Sequence, residues 1–148
     1  MKISLSATTW IVPKPADLKL EYAYEYILPS RNWAARCKTI GAKYPLFDSE
    51  EDFIAKVNAG NIISVTPKSK IHNMTTIDSI EGIESLVSGY RFPRDVGKIV
   101  KGYNSGKPMP MPIVIKGSKG SWILAGNTRS NVAFVMGVPL RVIEVDAT

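Results

Sequence analysis

The stretch Pro112-Ile113-Val114-Ile115-Lys116-Gly117-Ser118-Lys119-Gly120-Ser121-Trp122-Ile123-Leu124-Ala125-Gly126-Asn127-Thr128-Arg129 decides the fold. Its apolar run after a proline reads as a strand, Lys116 to Ser121 as a turn, and Trp122-Ile123-Leu124 as a second strand. Gly126 breaks that strand. Asn127 or Thr128 is then expected to cap a helix carrying Val132, Ala133, Val135 and Met136 to Gly137. Val138-Pro139 stops the helix, and Leu140 to Val145 alternates as a last strand. Strand, turn, strand, glycine corner, helix, strand is an α+β pattern: a small mixed sheet with helices.

The corner is the place for chemistry. The first N–H groups of a helix have no internal acceptor and sit at the positive end of its dipole, so they suit a phosphate. Gly126, lacking a Cβ, lets a ligand come close to the backbone, and Arg129 on the first turn offers its planar fork to the same oxygens. The plainer alternative is a strand-to-helix corner that binds nothing.

Three segments together resemble the core of the ParB/sulfiredoxin-like superfamily. They are Pro112-Ile113-Val114-Ile115, Trp122 to Ala133 with its Gly126-Asn127-Thr128-Arg129 corner, and Met136-Gly137-Val138-Pro139-Leu140-Arg141-Val142-Ile143. The resemblance covers roughly the C-terminal third of the chain. It implies a corner that holds nucleotide phosphates, in a superfamily of CTP-dependent DNA-partition clamps, ATP-using sulfiredoxins, a free serine kinase, and proteins described as ATPases or nucleases. By that likeness Gly126, Asn127, Thr128 and Arg129, with Pro112 heading the neighbouring strand, form the phosphate cradle for ATP or CTP, with or without magnesium. The compact, basic look is also similar to ParB-like proteins of phages.

The departures narrow this. Sulfiredoxins carry a nucleophilic cysteine directly after the corner glycine, where this chain has Asn127; the only cysteine, Cys37, is far off in sequence. Partition proteins have an acidic residue and a second arginine where Asn127 and Thr128 stand. No helix-turn-helix follows before Thr148, so the nucleotide-binding core alone is expected rather than a full sliding clamp.

The 148 residues, 45% hydrophobic, suit one domain over 1–148: an N-terminal extension to about residue 66 and the core over about 75–146. One cysteine excludes an internal disulfide and a cysteine-rich zinc site. No apolar run reaches the ~18 residues of a membrane span, and Met1 to Ser6 is too short for a signal peptide, so a cytoplasmic protein without a membrane partner is expected. The net charge of +6 suits anionic partners, nucleotide or DNA, and a generally basic surface equally well.

Along the rest of the chain, Lys2 to Val12 reads as a strand with Trp10 in the core. Asp17 to Leu28 alternates Leu18, Leu20, Tyr22, Tyr24 and Tyr26 with polar residues and is assigned as a strand, although its glutamates and alanines suit a helix. Three tyrosines on one face are read as packed sheet surface, with base stacking as the alternative. Pro29-Ser30-Arg31 opens a helix to Gly41, and Asp48 caps another over Phe53, Ile54 and Val57. Asn61 to Thr66 is a strand, Thr75 or Thr76 opens a helix through Ile77, Ile80, Ile83 and Val87, and a last helix spans about Arg94 to Tyr103.

The expected nucleic-acid contacts are Lys68 and Lys70, in the loop with the lone His72, and Arg91, Arg94, Lys98 and Lys101. No His or Cys spacing makes a dedicated metal site. Asp95, Glu84, Glu81 and His72 are candidate general bases, none singled out by spacing. The leading reading is an NTPase or phosphotransferase acting on or with DNA. Its alternatives are a non-catalytic nucleic-acid-binding or regulatory protein of the same fold, and an inhibitor of a host protein.

Overall fold

The computed structural model describes residues 8–74, 77–90 and 94–148. The element order is β1 (Trp10–Ile11), α1 (Pro15–Glu21), α2 (Trp33–Ile40), α3 (Glu50–Asn58), β2 (Asn61–Val65), α4 (Ile80–Ser88), α5 (Val96–Asn104), β3 (Met109–Pro110), β4 (Ile113–Lys116), β5 (Ser121–Ala125), α6 (Asn127–Met136) and β6 (Leu140–Asp146). The architecture is α+β, as expected. Four strands form a mixed sheet in the order β2-β6-β4-β5, and β1 and β3 make a short parallel pair. β4 and β5 are an antiparallel hairpin, while β6 returns through α6 to lie parallel to β4.

Helices cover both faces of this sheet, which is why β4 reads as a nearly continuous apolar run. On one face Leu18, Trp33, Cys37, Ile40, Phe53 and Val57 pack on Ile113, Ile115, Leu124, Ile143 and Val145. On the other, Ile83, Val87, Val96, Tyr103, Val132 and Ala133 pack on Val114, Ile123, Leu140 and Val142. The N-terminal helices α1 to α3 and the later helices α4 to α6 thus share one sheet as their floor. Among the described residues no helix is long and apolar enough to cross a membrane.

The largest correction concerns Asp17 to Leu28, which is helical: α1 runs on as a π-wound stretch over Tyr22–Ile27. The two-residue alternation contains a four-residue one, and the core selects the latter. Leu18 and Tyr26 are buried with Tyr22 partly so, whereas Leu20 and Tyr24 are exposed. Tyr22 stacks on Tyr26 at 5.5 Å, and Phe47 and Phe53 close the cluster, so the three tyrosines do not form one face. Pro15 stands at the first helical position, where its missing N–H costs nothing.

Smaller corrections concern ends. The helix expected from Pro29 is split by Asn32, whose left-handed backbone (φ 48°) and side chain cap α2 after a 3₁₀ turn over Pro29–Arg31. α3 is capped by Ser49 rather than Asp48, while the Asp52 carboxylate accepts from the Asp48 N–H. α5 starts later than expected, with Asp95 as its cap, and α4 is capped by Ser79. The expected helix openers Thr75 and Thr76 lie outside the described residues, as does most of the first expected strand, of which Trp10–Ile11 is observed.

Phe53 is fully buried where α3 meets the aromatic cluster and the sheet. Phe53→Ala is expected to cost about 3–5 kcal/mol. Urea unfolding followed by both tryptophan emission and circular dichroism should show one transition moved to lower denaturant. Two separated transitions would mean that the two helical layers unfold independently.

Candidate functional site

The corner is built by a bulge and a glycine. Ile113 pairs with Ala125 but Val114 with Ile123, so Leu124 is the extra residue, and Leu124 and Ala125 both turn to the face covered by α1 to α3. Gly126 follows in the left-handed region (φ 91°) and is the N-cap of α6, with no side chain capping the helix. This replaces the expected cap by Asn127 or Thr128. A Cβ on Gly126 would stand 2.7 Å from Pro112 Cβ and 2.9 Å from Arg129 Nη2, so only glycine fits between them. The Ser130 N–H bonds the Gly126 carbonyl at 3.0 Å; the amides of Asn127, Thr128 and Arg129 before it have no acceptor within the helix.

Arg129 is fixed from behind. Its Nε donates to the Pro110 carbonyl at 3.1 Å, and its own carbonyl accepts from the Tyr103 hydroxyl at 2.9 Å. Among the described residues no carboxylate forms an ion pair with its guanidinium. Burial draws its pKa down, against the pull of Glu21. Arginine's ordinary pKa is high enough that it stays charged.

A cavity of about 400 Å³ opens at this corner, a size suited to a small ligand. Gly126, Asn127, Thr128 and Arg129 form one end of its wall, whereas Pro112 packs beneath Gly126 and does not line it. The other charged lining residues come from the N-terminal segment, Glu21, Glu25, Arg31 and Arg36, with Arg94 from just before α5. Four arginines face two glutamates, so the lining is cationic.

The two glutamates differ. Glu25 receives Arg94 at 2.8 Å and Arg31 at 3.4 Å, and its side chain is 12% exposed. Glu21 has no such ion pair among the described residues; burial raises its pKa, with Arg129 opposing and Glu25 adding to the rise.

An amide relay holds the third side. Asn73 bonds the Ile123 backbone through both its side-chain atoms (2.7 and 2.9 Å), as a neighbouring strand would. Asn127 Nδ2 then donates to the Asn73 carbonyl at 3.2 Å, and Asn127 Oδ1 accepts from Asn131 at 3.5 Å. The Asn127 carboxamide is therefore committed to the scaffold, leaving its backbone N–H for a ligand.

Among the sequence candidates for nucleic-acid contact, Arg94 lines the cavity, whereas Lys68, Lys70, Lys98 and Lys101 are exposed and do not. Arg91 lies outside the described residues. None of the four candidate bases lines it either. Asp95 caps α5, Glu81 and Glu84 are exposed on α4, and His72 stacks on Trp122 at 6.0 Å. Cys37 is buried in the core, where desolvation pushes its thiol up to about 11, far from a nucleophile's range.

Sequence reasoning missed Glu21, Glu25, Arg31, Arg36 and Asn73. Read as a helix, Glu21 and Glu25 fall one turn apart on one face, and Pro15 with Asp17 in the first turn was the signal for that helix. Among the described residues no group of three or more His, Cys, Asp or Glu is arranged to hold a metal ion. No protein-family model, curated protein or solved structure matches this chain.

Glu21 sets a pH dependence. The raised pKa means that Glu21 gains its proton at higher pH than an ordinary carboxyl, and the ionised form competes for Arg129. Binding of sulfate, which keeps its charge over the neutral range, should strengthen as pH falls through the Glu21 titration. Glu21→Gln should bind sulfate several-fold more tightly at high pH and lose most of that dependence. Glu25, Arg94 and Asp17 remain around it in both proteins. Parallel pH profiles for the two proteins would contradict this assignment.

Proposed function

We propose that the chain is a nucleotide-binding protein of the ParB/sulfiredoxin-like type, an NTPase or phosphotransferase whose α6 corner takes the phosphates of ATP or CTP. One observation carries this reading: Arg129, with no ion-paired carboxylate among the described residues, flanks the first three amides of α6, which has no side-chain cap, in the wall of a cationic cavity. Amides and a planar fork on one anion are the arrangement that phosphate oxygens satisfy best. As charge develops on a transferring phosphoryl group, Arg129 would neutralise it without having to move, since Nε is already held by Pro110.

Within the cavity Glu21 is the carboxylate left over once Glu25 has been taken by Arg31 and Arg94. It suits two tasks that a nucleotide needs: accepting a proton from an attacking hydroxyl, and helping to hold a magnesium ion brought by the phosphates. Its raised pKa supports the first. DNA, as the second partner, would meet the exposed Lys98 and Lys101 on the outer side of α5, where binding is governed by salt. A nucleotide-using protein of this kind would work in the cytoplasm.

Removing the arginine fork deletes one or two charge-assisted hydrogen bonds, so Arg129→Ala should weaken ATP or CTP binding by about 10- to 100-fold. Calorimetric titration of both proteins with ATP, CTP and GTP plus magnesium tests this, with thermal melting as the control for folding. Equal affinities in a folded variant would overturn the reading. Phosphate release by the wild-type protein then separates turnover from binding alone.

A further inference from the structure

We infer that the cleft has a second anion-binding pole, Arg36, clamped between Trp33 and Trp122, so that its ligand is an elongated polyanion touching both ends of the cavity. This rests on the corner around Arg129 being an anion site, and it adds a residue from the N-terminal segment.

The four guanidiniums lining the cavity are not equivalent. Arg94 and Arg31 are both bound to Glu25, and Arg31 Nε also donates to the Tyr24 carbonyl at 3.0 Å. Their donors serve the fold. Arg129 spends Nε on Pro110 and keeps its terminal nitrogens. The Arg36 guanidinium makes no hydrogen bond or ion pair with any described residue, although the side chain is half-buried on the cavity wall. A guanidinium has five N–H donors and no acceptors, and withdrawing them from water without a partner is unfavourable.

What holds Arg36 there is aromatic. Its guanidinium carbon lies 5.1 Å from the Trp33 ring centroid and 5.2 Å from that of Trp122, within cation–π range of both. Trp33 is itself locked, 2% exposed and donating to the Glu25 carbonyl at 2.6 Å. Trp122 sits on β5 with His72 stacked against it. Indoles contact the cation without satisfying its N–H edge, and that edge is left for a ligand. A fork already fixed in place loses little freedom when it binds.

The two poles stand at opposite ends of one strand. Arg36 adjoins Trp122 near the start of β5 and Arg129 adjoins Gly126 just past its end, and the four backbone steps between those positions, shortened by the bulge at Leu124, span less than ~13 Å. Their charged surroundings differ accordingly: Arg36 feels Arg31 and Glu25, while Arg129 feels Glu21, Tyr103 and Arg94. A single phosphate fills one pole. A chain of phosphoryl groups reaches toward both.

The test compares inorganic orthophosphate with inorganic tripolyphosphate on the full chain, by calorimetry, with wild type, Arg36→Met, Arg36→Lys and Arg129→Ala. Wild type should bind tripolyphosphate at least about 10-fold more tightly than orthophosphate. Arg36→Met should remove most of that difference while lowering orthophosphate affinity far less than tripolyphosphate affinity. Arg36→Lys, which keeps the charge and loses the stacked fork, should recover only part of it. Arg129→Ala should weaken both ligands. Tryptophan emission should respond to tripolyphosphate and not to orthophosphate, because Trp33 and Trp122 flank only the Arg36 pole. Thermal melting confirms that each variant folds. If Arg129→Ala weakens both ligands while the Arg36 variants, folded, bind both like wild type or lose both equally, the second pole is wrong and the corner site stands. If Arg129→Ala changes neither ligand, or wild type binds neither, the corner reading fails and this inference falls with it.

Discussion

At Gly126 three things meet with no room for a side chain: the turn out of β5, Pro112 beneath it, and the guanidinium of Arg129 above. The left-handed backbone there lets the chain pass from strand to helix within one residue. It also leaves the first amides of α6 without a side-chain cap. Pro112 belongs to the same arrangement, because its carbonyl accepts from the Ile143 N–H at 2.9 Å and so ties β6 to the entrance of β4. The corner, the strand that supports it and the returning strand are therefore one mechanical unit, and the direction of Arg129 is a consequence of it.

The N-terminal segment completes the cleft rather than decorating it. Its helices cover much of one face of the sheet, and in doing so deliver two glutamates and two arginines to the cavity that α6 lines. Glu25 pairs with both Arg31 and Arg94 and thereby pins α1 and its π-wound continuation to the start of α5. The ion pairs serve mainly to position, since pairs at partly exposed sites contribute little to stability. Arg129 and Arg36 are left without an ion-paired carboxylate among the described residues. Burial of cations that the protein does not itself neutralise is costly, and such cost is usually retained where a ligand offsets it.

The C-terminal half was legible because its signals are local. Gly126, Gly137 and the Val138-Pro139 stop mark the ends of α6 within a few residues, and β4 is apolar because both of its faces are covered. The segment from Asp17 to Leu28 was not legible in the same way. Leu18, Leu20, Tyr22, Tyr24 and Tyr26 fit a two-residue and a four-residue spacing at once, and Phe47 and Phe53, distant in sequence, decide between them. The site divides along the same line. Gly126 and Arg129 belong to one contiguous motif and were read from it. Glu21, Arg36 and Asn73 reach the cavity through tertiary packing, and reading α1 as a strand hid the shared face of Glu21 and Glu25. Asn127 shows the limit from the other side, since its place in the motif suggested a ligand contact while its carboxamide is bound to Asn73 and Asn131.

The most direct measurement of the central claim is a nitrogen-15 amide spectrum of the full chain recorded while magnesium with ATP, and then CTP, is added. The account predicts the largest and saturable shifts at the backbone amides of Asn127, Thr128 and Arg129, with smaller ones along Ile123 to Ala125. Saturable shifts centred instead on Lys68, Lys70, Lys98 and Lys101, with the α6 amides unmoved, would contradict it.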